Sequence, residues 1–401
     1  MIEVVVVSAV RSAIGRFRGA LKDVHPADLG STVARAALER AHLDGPEVDE
    51  VVMAETYRAD LPGCSARPVA LRAGIPVEVP GANLNMHCGT GLKAIVAGGQ
   101  MIRSGDADCV LVVAMESMSR AAFLLRGARS GFPLGHATIV DQLVQKGDPA
   151  KDPAVDPTAA LSMGETAELL AERYVISREE QDQYACGAQA RAAAALREHR
   201  FAEQIVPIKV PVRGQAPAEF KVDEHPRPDT SIESLARLKP VFRAGGTVTA
   251  GNSSGMNDGA AALVLMSVTR ARERGLAPLA RLDGQASAGV PPEVMGLGPV
   301  PATRKLLQRT GRRLQDFATI ELNEAFAAQV LACFREYPEL AERGPVINVN
   351  GSGIALGHPI GATGAILAVK AVHELRRLGG GLGLLTMCIG GGQGIAVSIE
   401  A

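Results

Sequence analysis

The strongest constraint on how this chain folds is that part of it occurs twice. Asn83-Leu84-Asn85 precedes a glycine-rich turn, a helix of small residues over 91–103 and an apolar strand over 109–114. Asn348-Val349-Asn350 precedes a second glycine-rich turn, a helix over 364–377 and a strand over 383–387. Each copy closes on one more strand, 261–266 and 394–399. A repeated supersecondary unit cannot bury its apolar face alone and needs its twin to cover it. Two α/β halves stacked together, with both turns at one central cleft, meet that need. Generic α/β units also resemble one another, so the pattern by itself leaves duplication open.

The rest of the chain alternates in the same way. Val4 to Val7 is apolar on both faces and reads as a buried strand. Residues 27–41 have helical spacing, 48–54 read as a strand and 69–73 as a short helix. Strands alternating with helices give an α/β fold with a largely buried sheet. From about 120 to 248, Pro, Arg, Glu and Asp accumulate, and helices are predicted over 165–174 and 179–198. The second follows Ser177, with Glu180 three residues on, which is a capping box. This stretch reads as a helical, irregular insertion on the sheet scaffold.

Composition narrows the function. With 47% hydrophobic residues among 401, the chain has ample core and length for roughly two to three domains. Its 42 basic and 43 acidic residues leave a charge of -1, no footprint for nucleic acid. Cys64, Cys88, Cys109, Cys186, Cys333 and Cys388 form no CxxC pair and no zinc spacing, so no metal is expected and a reducing compartment is. No apolar run reaches the roughly 18 residues of a membrane span, and Ile2 to Val7 is too short for a secretory signal. A soluble, cytoplasmic protein with no membrane partner is expected.

Four places carry chemistry-bearing residues. In Asn85-Met86-His87-Cys88-Gly89-Thr90-Gly91 a thiol stands where a helix begins, and helix N–H groups favour a thiolate. A buried structural cysteine fits the same place. In Asn350-Gly351-Ser352-Gly353 through Gly357-His358-Pro359-Ile360-Gly361-Ala362-Thr363-Gly364, glycines flank one imidazole, the natural proton acceptor near neutral pH. A nucleotide-binding reading is weak, because the spacing is G-x-G-x-x-x-G rather than G-x-G-x-x-G. Cys388-Ile389-Gly390-Gly391-Gly392 places a second thiol after a strand over 384–387, beside exposed N–H donors. Asn323-Glu324-Ala325-Phe326 follows an apolar strand, and Glu324 also fits a helix cap. Two thiols, an imidazole and an amide in strand-end turns form a constellation where one alone would not.

Together these residues resemble the thiolase family. The resemblance spans Arg11-Ser12-Ala13-Ile14-Gly15 to Gln393-Gly394-Ile395-Ala396. It includes Met115-Glu116-Ser117-Met118-Ser119, Thr249-Ala250-Gly251-Asn252-Ser253-Ser254-Gly255 and Met295-Gly296-Leu297-Gly298-Pro299. It implies a five-layer αβαβα fold of two duplicated halves. One half would be 1–120 with 249–275, the other 276–401, and 121–248 a loop domain contacting coenzyme A. It implies ping-pong acyl transfer between acyl-CoA molecules. Cys88 would be the nucleophile, His358 its base and Cys388 the acid/base. Asn323 would orient a water, and the N–H groups of Cys88 and Gly390 would hold an oxyanion. Arg227, Ser234 and Ser254 would contact coenzyme A, with Phe242, Met163, Met295 and Phe326 lining its pantetheine and acyl ends. No permanently bound cofactor is implied; coenzyme A is substrate, and the assembly would be a homodimer or homotetramer.

The sequence also departs from that family. Thr90 stands in place of a usual Ser, His87 in place of a Leu or Val, and Gly353 in place of an Ala. Ser162 stands where short-chain biosynthetic members tend to carry His, which leans towards a degradative enzyme of broad or short-to-medium range. Two alternatives remain. Ketoacyl synthases share the fold but lack a thiol like Cys388, and a silent acyl-CoA-binding scaffold would have lost a reactive residue.

Overall fold

A computed structural model describes residues 2–61, 63–125, 127–132, 134–143 and 161–401. The remaining part of the expected insertion, chiefly 144–160, lies outside the described residues. The first half supplies β1 (Val4–Ser12), α1 (Pro26–Arg40), β2 (Glu50–Ala54), α2 (Ala66–Arg72), β3 (Gly81–Leu84), α3 (Thr90–Ser104) and β4 (Cys109–Ser117). After α4 (Met163–Arg173) and α5 (Arg178–Arg197), β5 (Asn257–Ser267) completes it. The second half runs β6 (Ala280–Gly289), α6 (Pro299–Thr310), β7 (Phe317–Leu322), α7 (Ala327–Glu336), α8 (Ile360–Leu378), β8 (Leu382–Ile389) and β9 (Gln393–Glu400).

The two halves have one topology. The first orders its strands β3-β2-β4-β5-β1, and the second places β7-β8-β9-β6 in the matching positions. In the first, β2 is parallel to β3 and β4, and β5 antiparallel to β4 and β1. In the second, β7 is parallel to β8, and β9 antiparallel to β8 and β6. A single parallel bridge, Ile320 to Ile347, stands where β3 stands in the first half. The halves meet at a seam of two antiparallel pairs, Val5 with Arg281 and Val6 with Ala280.

Five layers follow from burial on both faces. Strands β1, β4, β5 and β8 are buried throughout, because helices cover each sheet on both sides. α1 and α2 cover one outer face, α6 and α7 the other, and α3 and α8 form the shared middle layer. The middle helices cross with backbones nearly touching. A methyl group on Gly91 would lie 2.5 Å from Ala365 N, and one on Gly364 would strike Leu92 N. Only hydrogen fits there, which is why the small-residue character of both helices is obligatory.

Several expected boundaries move. β1 runs to Ser12 rather than stopping at Val7, because Arg11 is fully buried and paired with Asp223 (2.7 and 2.8 Å) and Gln204 (2.8 Å). The box at Ser177 and Glu180 forms as expected, with Ser177 N donating to Glu180 at 2.9 Å. α4 starts at Met163, not 165, capped by Ser162 through a box of the same kind with Glu165. We expect Gly91→Ala to destabilise the fold by about 1–3 kcal/mol through overpacking. A lower urea midpoint with an unchanged slope would record it; an unchanged midpoint would show that the helices part freely.

Candidate active site

The Cys88 turn links the end of β3 to the start of α3. Thr90 Oγ1 stitches it, accepting from Met86 N (2.8 Å) and donating to the His87 carbonyl (2.6 Å). The hydroxyl that Thr90 shares with Ser is therefore in use. His87 adopts φ of 46°, left-handed for a branched turn residue, and its side chain is exposed. Gly89, the helix N-cap, leaves room for Ile389 of β8, because a methyl there would overlap the Ile389 side chain. The sulfur of Cys88 accepts from Gly390 N and from its own N–H.

His358 lies two residues before α8, which begins at Ile360 rather than 364. Its backbone N donates to Asn257 Oδ1 (3.0 Å), and Asn257 Nδ2 donates to the Gly15 carbonyl (2.9 Å). Its Nδ1 lies 2.6 Å from Thr363 Oγ1. That hydroxyl has one hydrogen, which it donates to the Pro359 carbonyl (3.0 Å). The hydroxyl must then accept from Nδ1–H, which leaves the lone pair on Nε2. Nε2 is buried and has no hydrogen-bond partner among the described residues.

Cys388 is inside β8 and not beyond it as expected, opposite Gly394 of β9. Gly391 and Gly392, with φ of 82° and 83°, turn the hairpin and aim Gly390 N at the Cys88 sulfur. The two thiols are close enough for each charge to disfavour the other. Asn323 follows β7, its N–H bonded to the Thr386 carbonyl (3.0 Å). Both polar atoms of its side chain are buried with no hydrogen-bond partner among the described residues, and so is Ser352 Oγ, next to Gly353 in the chain. A methyl on Gly353 would lie 3.0 Å from Asn323 Oδ1 and 2.5 Å from the Glu324 carbonyl. Gly353 therefore gives close approach here, and not only backbone freedom. Glu324 does not cap the helix that follows it in the chain, but its Oε2 accepts from Ile354 N (3.4 Å) in the first turn of the short helix Gly353–Leu356. It accepts from Tyr184 (3.0 Å), Asn348 (3.0 Å) and Arg191 (3.3 Å), tying α5 to this turn.

Burial dominates the electrostatics. The Cys88 thiol is pushed up to about 11 by desolvation, against the lowering effect of its two N–H donors. The Cys388 thiol is pushed well above its ordinary value by the same cause and by Cys88. The lowered thiols expected from the sequence are thus reversed. Desolvation also pulls His358 down to about 4, so its imidazole is neutral at neutral pH and free to accept a proton.

The other expected residues fall into two groups. Met163, Met295, Phe326 and Cys388 share one apolar cluster. Phe242 joins them edge-on to Phe326 (centroids 6.0 Å apart) and covers Gly164, while Met163 Sδ lies 3.3 Å from where a Gly390 methyl would sit. Ser254 N donates to the Ala325 carbonyl (2.9 Å), which holds its loop against the Asn323 segment. Arg227 is exposed, and Ser234 spends its hydroxyl on the cap of the short helix Ile232–Ala236. Thr363, Asn257 and Ser352 were missed as site residues, although Ser352 and Thr363 lie inside quoted motifs. Asn257 carried no local pattern.

The family models for the thiolase N-terminal and C-terminal domains match residues 4–269 and 276–401. An acetyl-CoA acetyltransferase of Pseudomonas aeruginosa is 47% identical over 100% of this chain and 99% of its own. A beta-ketothiolase of Cupriavidus necator is 47% identical over 99% of each. The human mitochondrial 3-ketoacyl-CoA thiolase, solved in complex with CoA, superposes with a TM-score of 0.92 at 41% identity, covering 100% of this chain and 98% of that one. The chain belongs to the thiolase family, and it is an acyltransferase with that family's fold.

A raised thiol predicts slow, pH-driven alkylation. In the substrate-free enzyme, iodoacetamide labelling of Cys88 should keep rising beyond about pH 9 with no plateau, since only the thiolate reacts. Peptide mass spectrometry measures it; a plateau near neutral pH would show a preformed thiolate.

Proposed function

We propose that this enzyme cleaves 3-oxoacyl-CoA with free coenzyme A, and runs the reverse Claisen condensation, through an acyl group carried on Cys88. The observation that carries this reading is the set of buried groups left without partners. Among the described residues, His358 Nε2 and both side-chain polar atoms of Asn323 have no hydrogen-bond partner, and the Cys88 and Cys388 thiols lie close to one another. An unsatisfied buried polar group costs about 1–3 kcal/mol, a cost that a bound water offsets, and Nε2 can donate to a thioester oxygen once it has taken the Cys88 proton.

In cleavage, Cys88 gives its proton to His358 Nε2 as its sulfur attacks the 3-oxo carbon. Because the half-buried thiol and the buried imidazole are both neutral, proton transfer accompanies attack. The bond between C2 and C3 then breaks, the electron pair stays on the acetyl-CoA fragment as an enolate, and Cys388 supplies the proton to C2. Coenzyme A next gives its thiol proton to the Cys388 thiolate and attacks the acyl-Cys88 thioester, and the departing Cys88 sulfur takes back the proton held on His358 Nε2. Asn323, through a water, and His358 hold one thioester oxygen. The N–H groups of Cys88 and Gly390 hold the other, and each such donor contributes about 10²–10³ in rate.

Arg227, Ser234 and Ser254 contact the coenzyme A nucleotide and pantetheine, with Phe242, Met163, Met295 and Phe326 around the thioester and acyl end. Coenzyme A is substrate, with no resident cofactor. The chain divides into halves 1–120 with 249–275 and 276–401, and a loop domain 121–248 that holds coenzyme A. Ser162 caps α4 instead of presenting an imidazole, which favours a degradative enzyme of broad or short-to-medium range. Exposed Phe123, Leu125 and Ile139 on one hairpin support a homodimer or homotetramer, and six cysteines without a CxxC pair support a reducing compartment, the cytoplasm.

Thiolysis across 3-oxoacyl-CoA chain lengths tests the function. Activity with several lengths is expected; activity with none would refute it, and activity with the four-carbon substrate alone would remove the degradative reading. Cys388→Ala should lower thiolysis by about 10²–10⁴, as expected for loss of an acid/base group, while Cys88 is still acylated. Condensation surviving in that variant would favour a decarboxylating synthase instead.

A further inference from the structure

Glu116, at the end of β4, is fully buried and forms no ion pair among the described residues. Its carboxyl group instead gathers three backbone donors from two separate segments. Oε2 accepts from Gly361 N (2.8 Å) at the start of α8 and from Thr56 N (3.2 Å), and Oε1 accepts from Tyr57 N (3.1 Å). Thr56 passes the connection on. Its hydroxyl donates to the His87 carbonyl (3.1 Å), and its own carbonyl accepts from Asn85 Nδ2 (3.0 Å). One carboxyl group thus ties the residues flanking Cys88 to the helix that starts two residues after His358.

The fit is tight. A methyl on Gly361 would lie 2.8 Å from both Glu116 Oε2 and Thr56 N. The ionisable groups acting across this node are Glu55, at the end of β2, and Cys88, and an ionised Glu116 raises the Cys88 thiol. Burial pushes Glu116 up to about 8, so that its charge appears only as pH passes that value. Three N–H groups favour the ionised form, but desolvation outweighs them.

We propose that Glu116 is a positioning residue that locks the Cys88 turn to the start of the His358 helix and sets the charge felt by the Cys88 thiol. The inference rests on the reading of Cys88 and His358 as the reacting pair. Glu116 touches neither substrate nor sulfur and acts through backbone. Glu116→Gln keeps an oxygen for Gly361 N but turns an amide towards a donor and removes the charge. Near neutral pH, kcat for thiolysis of acetoacetyl-CoA should fall at least about tenfold, with KM within about twofold, because geometry at the reacting centre is lost and substrate binding is not.

The charge has its own readout, which needs no turnover and so stays separate from any failure of the thiolase reading. Cys88 alkylation in the variant should match wild type near about pH 6.5 and exceed it at least about threefold by about pH 9.5, where wild-type Glu116 is ionised. Unchanged kcat, or a rate ratio that does not grow with pH, overturns the proposal. If Glu116→Gln does not fold, Thr56→Ala decides, because it deletes the hydroxyl links to the His87 carbonyl (3.1 Å) and to Thr90 Oγ1 (3.4 Å) and leaves the Thr56 N–H on Glu116. A loss in kcat of about fivefold or more with unchanged melting temperature supports the lock, and unchanged kcat overturns it.

Discussion

Everything at the site depends on how closely α3 and α8 approach. Helix axes usually stand about 8–10 Å apart, set by the side chains between them. Here Gly91 meets Ala365 and Gly364 meets Leu92, so backbone packs on backbone. That crossing draws the N-terminal ends of both helices together. Each helix starts just after one of the glycine-rich turns, so the same packing that fills the middle layer also brings the Cys88 turn towards the His358 turn. The placing of these two turns is therefore a by-product of core packing.

Burying this many ionisable groups has opposite consequences on the two sides of neutrality. Glu116 and Glu55 are raised from 4.5 to about 8 and about 7. Their neutral forms suit the fold, so the stability they contribute is complete below about pH 4.5 and is lost as pH rises through those values. His358 is lowered from 6.5 to about 4. Its contribution is complete above about pH 6.5 and is lost as pH falls through 4. At neutral pH, burial therefore favours the neutral forms of Glu116 and His358.

Much of this was legible in the chain. The alternation of strands and helices, the doubled motif and the four reactive side chains all lie in short local patterns, where composition and turn residues act. What was not legible depends on distant partners. A charged residue reads as the end of a strand, yet Arg11 continues β1 because Asp223 and Gln204 neutralise it from far along the chain. The start of α8 depends on a carboxylate from β4 receiving Gly361 N. The imidazole tautomer depends on a threonine whose proton is already committed to a carbonyl. Cys88 looked like a helix-activated thiol, because a helix start is visible in sequence and the depth of burial is not.

The pairing of β1 with β5 joins residues 4–11 to residues 261–267. Closing that ladder encloses most of the first half, so the contact is costly in loop entropy and slow to form. A ribosome adding about 5–20 residues each second exposes Cys88 long before β5 exists to finish its sheet. Gly390, whose amide receives the Cys88 sulfur, emerges among the last residues described. The nascent chain therefore carries Cys88 first as an ordinary, solvent-exposed thiol, and the burial that pushes it up arrives only when the later strands pack around it.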